Sequence, residues 1–362
     1  MKKLPLAFLF FLPIWLISCS GAGPFERETA REAHERKFKK HPMLGQWQAG
    51  FREAVLHPVS VSLPYAERQS FSTGREATSY RIDLRQGERI SVKVKATAAV
   101  LSELQNASAQ AIATSDTLGS LTFTARETSH FTLIIQPGLE TTGDILVQME
   151  KGASLGFPVA GKGNSAIQSF WADVRDGGKR RHEGIDIFAK RGTPVVAVAD
   201  GFVTYTGERG LGGKQVWQRL GLMGHSVYYA HLDGIAVGSG SRVKAGDTLG
   251  FVGNTGNAKG TPPHLHFGIY GSSGAVDPLP FVYQSNPMSA TSFSMAAKSP
   301  SVKIGTNKAN FRSSPNASAS IIAQVPRDSR FKVLGRTSDW LHVRSSDGSR
   351  GFLHLSVTTA VN

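Results

Sequence analysis

Apolar and polar residues alternate in short runs through most of this chain, and no long stretch carries the 3.6-residue period of helical bundles. Residues 79–84 (SYRIDL), 89–94 (RISVKV), 121–123 (LTF), 130–135 (HFTLII) and 144–149 (DILVQM) alternate with period two and are broken by Gly, Asn and Asp. That is the pattern of half-buried strands in a sandwich. Further strands punctuated by glycine follow between 155 and 283, among them 194–198 (PVVAV), 201–205 (GFVTY) and 247–252 (DTLGFV). A third set of short runs covers 310–315, 321–326, 331–334, 339–344 and 349–354. The expected fold is mostly β, with an N-terminal β-sandwich module at 58–150, a central domain at 155–283 and a small C-terminal domain at 301–358. Residues 284–300, low in charge and rich in Ser and Ala, read as a linker. Only Glu26–Lys40 looks helical, with turn residues after it, so 19–57 reads as a tether or helical segment.

The chain of 362 residues is long enough for two or three domains. Its start stands apart from the fold. Lys2 and Lys3 precede an apolar run, Leu4–Ile17, of the length of a signal-peptide core and too short for a comfortable membrane span. The run ends in Leu16-Ile17-Ser18-Cys19, which resembles a bacterial lipobox. The resemblance implies a signal peptide at 1–18, lipid attachment at Cys19 and, with Ser20 next, the outer membrane of a Gram-negative envelope, facing the periplasm. Cys19 is the sole cysteine, which excludes an internal disulfide and a cysteine-based zinc site. The formal charge of +14 falls to +12 without the two signal lysines. Such a surplus favours anionic partners through long-range attraction. For an exported protein these are wall polymers and anionic lipid head groups, and no nucleic acid is expected.

The chemistry gathers in the central segment. His182 and Asp186 lie four apart, a spacing that suits one face of a helix or of a strand. Gly184 and the β-branched Ile185 and Ile187 favour the strand, which leaves Glu183 as a polar neighbour. His264 and His266 lie two apart after Thr261-Pro262-Pro263, whose prolines fix an extended approach. On a strand both imidazoles share one face, about 7 Å apart along the chain. One can bind a metal while the other faces a substrate. His231 stands in YYAHLDG, and His225 reads as structural or solvent-facing.

His182-x-x-x-Asp186, Tyr229-Ala230-His231-Leu232 and His264-Leu265-His266 match, in order, the signatures of lysostaphin-type (LytM-like) zinc endopeptidases. Gly192-Thr193-Pro194-Val195, Val243-Lys244-Ala245-Gly246-Asp247 and Gly253-Asn254-Thr255-Gly256 support the match. The resemblance covers 155–283, about a third of the chain, and implies a compact antiparallel β fold with a long open groove. It implies one zinc ion held by His182, Asp186 and His266, an open fourth position for water, and His231 and His264 as the catalytic pair. The stretch before His231, QVWQRLGLMGHSVYY, departs from many relatives and puts groove shape and substrate choice in doubt. Lys308–Pro315, Asp339–Val343 and Gly351–Leu353 resemble a bacterial Src-homology-3-like β-barrel, a module that implies binding of wall peptides. Trp340 and Phe352 are expected to fill its interior. The expected function is hydrolysis of peptide bonds in bacterial peptidoglycan, in cross-links or stem peptides, by a lipid-anchored zinc endopeptidase of the cell envelope. The alternative is a non-enzymatic scaffold or activator of another wall hydrolase.

Overall fold

The computed structural model describes residues 28–71, 76–115, 119–221, 224–285 and 299–361. The expected signal peptide, Cys19 and most of the expected linker lie outside these residues.

Helix α1 (Ala30–Lys37) starts at a capping box in which Thr29 and Glu32 satisfy each other's backbone amides. A second helix, α2 (Leu44–Leu56), occupies the segment that sequence reading assigned to turns. Its apolar side chains serve two small cores. Trp47 packs with Leu101 and Leu139, and Ala54 packs with Ala77 and Ile134. The Trp47 indole also donates to Pro137 O at 2.8 Å. This helix shows poorly in the sequence because Gly45 and Gly50 weaken its propensity and its fold-facing stripe is short.

Strands from two sheets bury one core. The first sheet has the order 59–60, 78–84, 129–137, 100–105, 111–114, and the other places 65–71, 143–153, 88–96 and 121–124 side by side. Tyr80, Ile82, Leu133 and Ile135 from the first meet Ile90, Val92, Val147 and Met149 from the second.

The C-terminal strands pair among themselves and also join that second sheet. Arg330–Thr337 pairs antiparallel with Tyr65–Phe71, matching Arg68 with Arg336 and Gln69 with Gly335. Strands 340–344, 350–354, 308–312 and 321–326 continue the same sheet, which reaches 11 strands. A separate small core of Val302, Ile304, Phe311, Phe331 and Leu341 remains under them. The expectation for the two aromatic residues fails here: Phe352 is buried in the N-terminal core and Trp340 packs against it.

The reason is a polar seam. The buried Glu67 carboxylate accepts from the Tyr65 hydroxyl (2.6 Å), the Tyr80 hydroxyl (2.9 Å) and His342 Nδ1 (3.0 Å). Gly335 is glycine because a Cβ there would collide with that carboxylate. Around it, Arg344 pairs with Glu53 (3.1 Å) and Glu76 (3.2 Å), Lys332 pairs with Glu76 (2.6 Å), and Arg350 donates to Ala77 O (2.8 Å).

The site is built on a third sheet. Its principal strands are β1 (Ile185–Phe188), β2 (Gly201–Arg209), β3 (Gly213–Leu220), β4 (Ser226–Ile235), β5 (Thr248–Val252) and β6 (His264–Gly271). The central order is β1-β6-β4-β3-β2, antiparallel throughout, with β5 paired to β4. Ile185, Ile187, Leu265, Phe267 and Ile269 face one core with Val216, Val227 and Tyr229. Alternation along β6 therefore turns His264 and His266 to the opposite face, into an open groove.

Candidate metal centre and active site

All five residues singled out in the sequence meet in one groove of about 670 Å³. Pairing brings two of them together directly. Asp186 on β1 lies opposite His266 on β6, and Phe188 lies opposite His264. His182 does not share a strand with Asp186, as its spacing suggested. It precedes a bend at Gly184, and only Asp186 lies within β1. Past the bend the His182 ring comes to lie 4.9 Å from that of His266, and Gly184 leaves room for the His266 ring. A Cβ at Gly184 would lie 2.6 Å from His266 Cε1 and 2.6 Å from Phe267 O.

Three donor atoms converge. His182 Nε2 is 3.0 Å from His266 Nδ1, His182 Nε2 is 3.1 Å from Asp186 Oδ1, and His266 Nδ1 is 3.1 Å from the same oxygen. His182 Nδ1 faces Phe170 O at 2.8 Å, an acceptor only, so the ring proton sits there and Nε2 carries a lone pair. One proton on His266 Nδ1 can satisfy a single acceptor of the two it faces. A third contact, lone pair against lone pair, is left over, and a cation resolves it. The spacing suits the ion as well. Tetrahedral zinc at about 2.0–2.1 Å from each ligand needs ligand atoms about 3.3 Å apart. His182, Asp186 and His266 thus form a possible metal-binding group. Burial alone would raise the Asp186 pKa, but the close polar contacts of Oδ1 with the His182 and His266 rings outweigh that and hold the carboxyl well below the usual carboxylate range.

His264 and His231 stand beside this group. Their rings meet edge to face at 5.1 Å, and His231 lies 5.9 Å from the His266 ring. His264 Nδ1 donates to Pro262 O at 2.9 Å and His231 Nδ1 to Thr255 O at 2.9 Å. Each imidazole is thereby fixed with a bare Nε2. His264 Nε2 points towards the metal group, 4.0 Å from Asp186 Oδ1, and the Phe188 ring stacks on it at 5.0 Å. His231 adopts a positive φ of 62°, unusual outside glycine, and its amide donates to Gly212 O at 2.8 Å. Burial lowers the His231 pKa to about 4, helped by the neighbouring His266 and His264, so its imidazole is neutral at ordinary pH.

Other groove residues escaped the sequence reading. Trp217, Tyr228 and Tyr270 line one side as an aromatic cluster, with Trp217 4.5 Å from Tyr228 and 5.1 Å from Tyr270. Trp217 and Tyr228 come from the stretch whose unusual sequence put groove shape in question, and Tyr270 comes from β6. Arg175 also reaches the metal group, with Nη2 2.8 Å from Asp186 Oδ2. A buried carboxylate ligand needs a partner for its second oxygen, but Arg175, Arg180 and Arg181 all offered one and spacing alone did not choose. Glu183 is exposed at the groove edge, in keeping with a polar neighbour. His225 lies away from the groove, in a second cavity, with its ring 5.8 Å from Phe281.

Residues 180–278 match the model of Peptidase family M23, and residues 307–358 match that of the bacterial SH3 domain. The chain is 38% identical over 136 residues to an L-Ala–D-Glu endopeptidase of Bacillus subtilis, covering 34% of this chain and 41% of that protein. It is 44% identical over 88 residues to the DD-carboxypeptidase/endopeptidase Mpg of Neisseria meningitidis, covering 24% of this chain and 20% of that one. The chain thus spans less than half the length of these relatives. Among solved structures, the catalytic domain of lysostaphin from Staphylococcus simulans shares 35% identity, with 32% of this chain and 89% of that chain covered and a TM-score of 0.30. Taken with the site's motifs, the central part of this chain is a Peptidase family M23 domain, of a zinc metallopeptidase family, and a bacterial SH3 domain follows it.

Proposed function

We propose that this protein is a zinc-dependent endopeptidase that hydrolyses peptide bonds in bacterial peptidoglycan. The observation that carries the reading is the convergence of three ligand atoms within 3.1 Å of one another beside two imidazoles whose Nε2 atoms are both bare.

His182 Nε2, Asp186 Oδ1 and His266 Nδ1 would hold the ion. Zinc bound there supplies Lewis acidity and makes water acidic enough to serve as a nucleophile near neutral pH. The chain's own residues do the rest. Either His231 or His264 accepts the proton lost by the attacking water, and that proton passes to the leaving amine. The imidazole that is not the base stabilises the oxygen on which charge develops only when its Nε2 carries a proton, as the imidazolium. The carbonyls of Thr255 and Pro262 keep both rings from turning, so no reorganisation is needed during reaction.

The matched relatives support a wall substrate, one being an L-Ala–D-Glu endopeptidase and another a DD-carboxypeptidase/endopeptidase. The bacterial SH3 domain is consistent with wall attachment. The finer location, an outer-membrane lipoprotein anchored through Cys19, rests on the N-terminal sequence alone.

The test is digestion of purified peptidoglycan, with mass analysis of the released fragments. New amine and carboxyl ends on stem peptides or cross-links, lost on chelation and restored by zinc, are expected. Zinc-loaded protein that binds the wall and releases no fragment would favour a scaffold or activator. Mass analysis of the mature N-terminus, with Cys19→Ser as control, checks the lipid anchor.

A further inference from the structure

Asp186 divides its two oxygens between different tasks. Oδ1 faces the imidazole nitrogens of His182 and His266, whereas Oδ2 accepts from Arg175 Nη2 at 2.8 Å. The same nitrogen donates to Ser169 Oγ and lies 3.1 Å from His182 Nδ1. One guanidinium nitrogen therefore touches two of the three possible ligands and a hydroxyl that itself lies 3.3 Å from the His182 ring.

The chain holds this arginine firmly. Arg175 belongs to a short hairpin, Val174–Arg175 with Arg180–Arg181, closed by a turn in which Gly177 and Gly178 take positive φ. Asp173 fixes the approach to it. Its carboxylate accepts from Phe170 N (2.7 Å) and Ser169 Oγ (3.1 Å), and its carbonyl accepts from His182 N (2.8 Å).

We propose that Arg175 is a positioning residue that confines Asp186 to ligation through a single oxygen and so keeps the fourth position on the metal free. A carboxylate turns easily about its terminal torsion, because that torsion has broad minima. With Oδ2 unpartnered, both oxygens can swing onto the ion, and a second oxygen takes the place that a catalytic site must leave open. The bond from Arg175 opposes that rotation. Hydrogen-bonding partners behind metal ligands commonly change affinity or activity by about 10–100-fold when removed.

This inference rests on the zinc-site reading, and cobalt separates the two. Full-length wild-type protein and Arg175→Ala are loaded with Co²⁺, and visible absorption reports the coordination number. The wild type is expected to show the strong bands of a four-coordinate site. Arg175→Ala is expected to show the weaker bands of higher coordination, with kcat about 10–100-fold lower and KM little changed. Added guanidinium should restore both. Arg175→Gln, similar in bulk, serves if the alanine variant fails to fold. Identical spectra in wild type and both variants would overturn the role of Arg175 and leave the zinc site intact. Wild type that binds no cobalt and no zinc would overturn both.

Discussion

Replacing Gly184 by Ala tests whether the bend at this residue builds the metal site. The added Cβ would lie 2.6 Å from His266 Cε1, 2.6 Å from Phe267 O and 2.8 Å from His266 Nε2. Ordinary contact begins at 3.4 Å, so about 0.8 Å must be found. The backbone cannot supply it by retreating. Ile185 pairs with Phe267, both are fully buried, and Asp186 pairs with His266 one residue further on. The His266 ring has to turn, so that its Nδ1 leaves the triangle of 3.0–3.1 Å contacts, while the contact with Phe267 O stays as strain in the sheet. Metal–ligand distances tolerate only about 0.2 Å, a quarter of the displacement required. Overpacking of this kind also costs about 1–3 kcal/mol of stability. The expected variant is folded but binds zinc at least about 10-fold more weakly, the scale at which misplaced ligand supports act. Competition against a coloured chelator measures the affinity, and circular dichroism with thermal melting confirms the fold. A folded Gly184→Ala protein that holds one zinc with wild-type affinity would refute the reasoning.

Other perturbations separate the remaining roles. His264→Ala should keep zinc and lose about 10²–10⁴-fold in turnover, whereas His266→Ala should lose the ion; metal analysis beside a digestion assay decides, and equal zinc loss in both contradicts the division. Phe352→Ala should cost about 3–5 kcal/mol and speed hydrogen exchange in 78–84 and 129–137, although residue 352 belongs to a different segment of sequence; exchange confined to 301–361 would contradict the shared core. At Glu67, burial pushes the pKa up, but the charge of His342 and hydrogen bonds from His342, Tyr65 and Tyr80 bring it below its ordinary value. A depressed carboxyl stabilises the fold above its unfolded value of about 4.3 and loses that contribution as pH falls through the lower folded value. Denaturant titrations should therefore show acid loosening of the C-terminal strands below about pH 4, absent in Glu67→Gln, and loosening already between pH 5 and 7 would count against the assignment.

The site was legible because its chemistry is carried by short local patterns. His264 and His266 two apart on an alternating strand must share a face, and the observed strand β6 obeys this, with Leu265 and Phe267 buried on the other side. The spacing of His182 and Asp186 was legible as proximity but not as geometry. A separation of four is satisfied by a helix, a strand or a bend, and only the approach of His266 to Gly184 selects the bend. Arg175 was illegible for a related reason. Its partner is one oxygen of a residue eleven positions away, and two nearby arginines carry the same chemistry.

The merged sheet lay further out of reach. Alternation announced five of the seven strands in 301–360, missing Ser301–Ile304 and Thr358–Ala360, yet it reports only which face of a strand is buried, not what buries it. An edge strand such as Tyr65–Phe71 reads the same whether it faces solvent or the strand Arg330–Thr337. What selects the partner is a set of contacts between residues more than 250 positions apart: Glu67 with His342, Glu76 with Lys332, and Arg350 with Ala77 O. Each residue alone looks like ordinary surface or ordinary strand. A buried carboxylate without its donors costs several kcal/mol, so Glu67, Tyr65, Tyr80 and His342 are tolerable in a core only together. The C-terminal strands therefore supply one of the donors that makes the N-terminal core stable, and the Peptidase family M23 domain lies in sequence between two segments, 65–153 and 301–360, that share one sheet.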